Sequence, residues 1–101
     1  MHIVQLLLPL YDNDGRPFPD SVMAAIRDEL VARFGGVTAF SRTPAEGVWS
    51  DRGQNIRDEV ILVEVMVENL DLAWWNGFRA RLESLLRQRS LVARAFAITR
   101  L

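Results

Sequence analysis

Glu59-Val60-Ile61-Leu62-Val63-Glu64-Val65-Met66-Val67-Glu68 is the longest apolar run in the chain. It is rich in β-branched residues, which fit a pleated strand better than a helix. Ile61, Val63, Val65 and Val67 alternate with Val60, Leu62, Glu64, Met66 and Glu68. Successive strand side chains point to opposite faces, so the first set marks a core face and the second a mixed face. Such a strand belongs in the interior of a sheet, covered on both sides.

Upstream of it, Asp51-Arg52-Gly53 reads as a turn leading into the central strand. Val37 to Arg42 reads as a short strand, interrupted by Thr43-Pro44-Ala45-Glu46-Gly47 and resumed at Val48-Trp49-Ser50. Pro44 places that strand at an edge, where a missing donor does little harm. Before it, a helix is expected from about Asp20 to Phe34. Val22, Ile26, Leu30 and Phe34 form its apolar face, Asp20 or Ser21 caps it and Gly35 ends it. Tyr11-Asp12-Asn13-Asp14-Gly15-Arg16-Pro17 is dense in turn formers. Asp12, Asp14 and Gly15 have part of a calcium-loop spacing. Leu10 and Ser21 stand where two further ligands would be needed, which excludes calcium. His2 to Leu8 forms the first strand, with Val4, Leu6 and Leu8 on one face and Ile3, Gln5 and Leu7 on the other, and Pro9 ends its regular pairing.

Downstream, Asp71 caps a second helix whose stripe is Leu72, Trp75, Phe78, Leu82, Leu85 and Leu86. Glu83 is spaced to pair with Arg79 or Arg87. Gly77 costs the helix about 1 kcal/mol relative to Ala, so a close contact is expected to require it. Leu91 to Thr99 reads as the last strand, with Ala93, Ala95 and Ala97 on one face and Val92, Arg94, Phe96 and Ile98 on the other.

The order is strand-helix-strand twice over. Right-handed crossovers then give an α+β, two-layer ferredoxin-like sandwich (βαββαβ), a four-stranded antiparallel sheet with two helices on one face. One domain covers residues 1–101, near the commonest domain size.

Composition narrows the function classes. The formal net charge is −1, which gives no attraction to nucleic acid or an anionic membrane. All twelve basic residues are Arg, so no lysine Schiff base can form. There is no Cys, hence no disulfide, thiol nucleophile or thiolate metal site. His2 is the one histidine; it is expected to be a frayed surface residue, and neither a histidine metal cluster nor a Ser-His-Asp triad has support. No cofactor is expected. The first residues lack a signal-peptide pattern and are too short an apolar run to span a bilayer, so a bacterial cytoplasmic protein is expected.

Phe34-Gly35-Gly36-Val37-Thr38, Gly47-Val48-Trp49, Gly53, Ile56 and Glu59 resemble a group of small bacterial proteins of unknown function. That group shares a Gly-x-Thr, a Gly-x-Trp and a glycine before the central strand; Gln88-Arg89-Ser90-Leu91-Val92-Ala93-Arg94 looks like its segment leading into the last strand. The inserted Pro44-Ala45 departs from its pattern. The resemblance covers about half the chain and implies a ferredoxin-like fold, but no reaction.

The candidate site follows from the faces. Gln5, Glu64 and Arg94 fall in one row on the open face, among apolar residues that include Leu62, Met66, Phe96 and Ile98. Exposed apolar faces of this kind mark interfaces, and the expected partner is a second copy, face to face. Glu64 and Arg94 are read either as a structural ion pair or as polar anchors for a small-molecule ligand. The distinctive loop adds Arg42, Glu46 and Trp49 as a rim or, equally, as a rigid connection. Trp74 is read as helix packing, with an aromatic wall for a ligand as the alternative. A homodimeric binding or assembly module is the leading reading. The alternative is a cofactor-independent dimeric α/β-barrel enzyme, with Glu64 as base and Arg94 holding an oxyanion.

Overall fold

A computed structural model describes the backbone of residues 1–44, 49–51, 54–56 and 59–101, and the side chains outside 39–59. The elements in chain order are β1 (His2–Pro9), α1 (Asp20–Phe34), β2 (Ala39–Pro44), β3 (Trp49–Asp51), β4 (Gln54–Ile56), β5 (Glu59–Val67), α2 (Leu72–Leu85) and β6 (Val92–Ala97).

The expected four-strand βαββαβ sandwich is corrected. The elements described to their side chains are three antiparallel strands, β1, β5 and β6, and two helices, in the order β-α-β-α-β: a small α+β fold. The region between the helices holds four strands rather than two. The backbone of β2 pairs antiparallel along the far side of β5, so the main sheet runs β2-β5-β1-β6. Trp49–Asp51 does not resume β2. It pairs with Gln54–Ile56 in a separate two-stranded ribbon, which stands where a direct turn into the central strand was expected. Three-residue strands are too short to show an alternation of faces, so nothing in the apolar pattern announces them.

The core lies under one sheet face. Val4, Leu6 and Leu8 of β1 and Ile61, Val63, Val65 and Val67 of β5 are buried there. Met23, Ile26 and Leu30 of α1 and Trp75, Phe78 and Leu82 of α2, with Leu86, close over them. Each such side chain contributes about 1.5–3 kcal/mol by leaving water. Leu72 and Leu85, assigned from spacing to the same stripe, are instead 64% and 57% exposed. They sit at the two margins and ends of the helix, beyond the reach of the sheet. The small residues of β6 do not draw a helix over its whole length: Ala93 is half-buried, while Ala95 and Ala97 are exposed.

The helix ends have identifiable causes. The Asp71 side chain accepts from the Trp74 backbone N–H at 3.1 Å, which caps α2. At α1 the N-cap position is Pro19, without a side-chain cap, in place of the expected Asp20 or Ser21. Gly35 at φ 79° closes α1, its N–H donating to the Val31 carbonyl at 2.8 Å. Gly77 corrects a further expectation, because nothing lies within 4 Å of where its Cβ would be.

Candidate functional site

The open sheet face is built in three levels by strand register. Gln5 pairs with Glu64 on one side and with Arg94 on the other. One level is therefore Glu64–Gln5–Arg94. Two residues away on one side lies Met66–Ile3–Phe96, and on the other Leu62–Leu7–Val92. A polar row is thus framed by two apolar rows. Ile3, Gln5, Leu7, Leu62 and Glu64 are half-buried. Met66, Val92 and Phe96 are 36%, 50% and 44% exposed, although large apolar side chains are normally the ones a fold hides.

Within the row, Gln5 stands between the two charges. Arg94 Nε donates to Gln5 Oε1 at 2.7 Å, and Gln5 Nε2 donates to Glu64 Oε1 at 3.1 Å. A guanidinium only donates and a carboxylate only accepts, so the amide has one workable orientation. Arg94 is exposed. Among the described residues, Glu64 and Arg94 make no direct ion pair; the amide relays between them. The backbone carbonyl of Glu64 also accepts from Thr38 N–H at 2.7 Å, where the chain enters β2.

The other expected site residues divide. Arg42 and Trp49 are placed by backbone on β2 and β3, and their side chains, with all of Glu46, lie outside the described residues. His2 is not frayed. It pairs with Val67 and Ala97 in the ladder, and its Nδ1 is buried without a hydrogen-bond partner among the described residues. Trp74 is packed, with its ring stacked on Phe78 at 4.9 Å and edge-on to Phe34 at 5.1 Å and Trp75 at 4.8 Å. The Arg33 guanidinium lies 4.5 Å from its centroid, occupying the ring that a ligand would need. Residue spacing missed Arg33; its place in the last turn of α1, beside Phe34, was the available signal. The Tyr11–Pro17 segment is a turn held by its own groups: the Asp12 carboxylate accepts from the Asp14 and Arg16 N–H groups, both at 2.9 Å. No cluster of metal-ligating side chains occurs among the described residues. Among them, no helix is long and apolar enough to cross a membrane.

No family model and no curated protein matches the chain. Among solved structures, it is similar to a phage SAM lyase in complex with S-methyl-5'-thioadenosine, with a TM-score of 0.62 over 94% of this chain and 79% of that chain. At 14% identity, the likeness is one of fold alone.

Proposed function

We propose that the protein works as a homodimeric binding module through the open face of its sheet. The observation that carries this reading is the set of Met66, Val92 and Phe96, large apolar side chains left in solvent around a polar row. Burial of a face by a second copy removes that apolar surface from water, and the row supplies orientation. Sedimentation velocity at micromolar protein tests it: a dimer is expected, and a monomer overturns the reading.

A second reading is favoured by the fold neighbour, a phage SAM lyase in complex with S-methyl-5'-thioadenosine. In that reading the face binds a small cationic or adenine-bearing molecule, and Glu64 supplies negative charge, half-withdrawn from water, beside it. The expected result is release of S-methyl-5'-thioadenosine when the protein is incubated with SAM, followed by chromatography, and its loss in Glu64→Gln. No release above the protein-free control, with no thermal shift by either compound, removes this second reading and leaves the first.

A further inference from the structure

We infer that the open face is self-complementary about a two-fold axis running along β1, so that Glu64 of each protomer pairs with the partner's Arg94. The inference rests on the homodimer reading above and specifies its geometry. It follows from the register alone. β1 lies between β5 and β6, and across these three strands each level reads β5 residue, β1 residue, β6 residue, with the backbone of β2 beyond β5.

Two face-to-face sheets are related by an axis in the plane between them. An axis along the strands keeps each level opposite itself and exchanges its two sides. Glu64 then meets the partner's Arg94, Met66 meets the partner's Phe96, and Leu62 meets the partner's Val92. Every level is matched: opposite charges in the middle, thioether against aromatic ring on one side, aliphatic against aliphatic on the other. An axis across the strands, along the polar row, gives the opposite result. It sets Glu64 against the partner's Glu64 and Arg94 against the partner's Arg94, in an interface otherwise apolar. Like charges so placed are strongly disfavoured. The charge order Glu–Gln–Arg therefore selects one of the two axes.

The side chains suit the task. Packed sheets lie about 10 Å apart, a gap that an Arg and a Glu reaching from opposite sides can close. Arg94 commits its Nε–H to Gln5 within the chain, and its guanidinium has further N–H groups to offer. Gln5 lies on the axis and holds both charges at their level.

Charge reversal provides the test. E64R alone creates two Arg–Arg encounters per dimer, and R94E alone creates two Glu–Glu encounters. Each is expected to weaken self-association by about tenfold or more. Reversing both charges in one chain, E64R/R94E, makes both encounters opposite in sign again and restores self-association, whereas under the crosswise axis that chain still sets like charges together. Circular dichroism of each variant checks that it folds. The absence of native Cys allows a second measurement that needs no charge change. I3C is expected to join to itself through a short bismaleimide; under the crosswise axis it instead needs L7C on the other chain. A wild-type dimer that the single reversals leave intact, or whose association the double reversal fails to restore, or in which I3C fails to join to itself, overturns the axis and leaves the homodimer standing. A wild-type monomer overturns both.

Discussion

Glu83 shows how much one side chain holds. Its Oε1 accepts from Arg79 at 2.7 Å within α2, and its Oε2 accepts from the Leu91 N–H at 2.9 Å, at the entry to β6. The carboxylate is only 16% exposed, so its loss leaves a poorly solvated N–H and guanidinium behind. Glu83→Ala is expected to cost about 1–3 kcal/mol, the scale for unsatisfied buried partners, read by chemical denaturation. Glu64 differs. With no direct ion pair to Arg94 of its own chain, and with a glutamine able to accept from Gln5 just as the carboxylate does, Glu64→Gln is expected to change the stability of the isolated protomer by less than about 1 kcal/mol. A loss of 3 kcal/mol or so in a denaturation curve recorded below the concentration of self-association would mean that Glu64 is held by a buried charge partner within its own chain.

At the scale of elements, the clearest lever is Gly77. It lies exposed inside α2, with open space where a Cβ would go. Gly77→Ala is expected to stabilise the protein by about 0.5–1 kcal/mol, a rise of a few degrees in Tm. Asp71→Ala removes the cap from the same helix and is expected to lower stability by about 0.5–2 kcal/mol. The start of α2 and the end of α1 were legible because their signals are local: a cap acid at Asp71, a glycine at Gly35. The row Glu64–Gln5–Arg94 was legible because strand alternation has a strict period of two. The relay through Gln5 was not, since it depends on β1 lying between β5 and β6 in register, which couples residues 59 and 89 positions apart. The ribbon of β3 and β4 was hidden by its brevity. Gly77 was misread because a glycine in a helix is expected to have a reason, and no contact supplies one here.

At the scale of the molecule, the two faces of the sheet have different fates. The core face is closed by α1 and α2, while the other keeps Phe96 and Met66 in solvent. Phe96→Asp is therefore expected to leave the circular dichroism spectrum nearly unchanged while abolishing self-association in sedimentation. A collapse of the fold instead would place Phe96 in the structural core. The order of strands also sets a timetable. β1 is made first, yet both of its neighbours come late: His2 pairs with Val67 on one side and with Ala97 on the other. At roughly 5–20 residues per second, a ribosome leaves this apolar strand without its native partners for several seconds at least. During that interval its two unfilled edges are open to any extended segment nearby. Chains arrested before β5 is complete should consequently be bound by holdase chaperones, and those released after β6 should not.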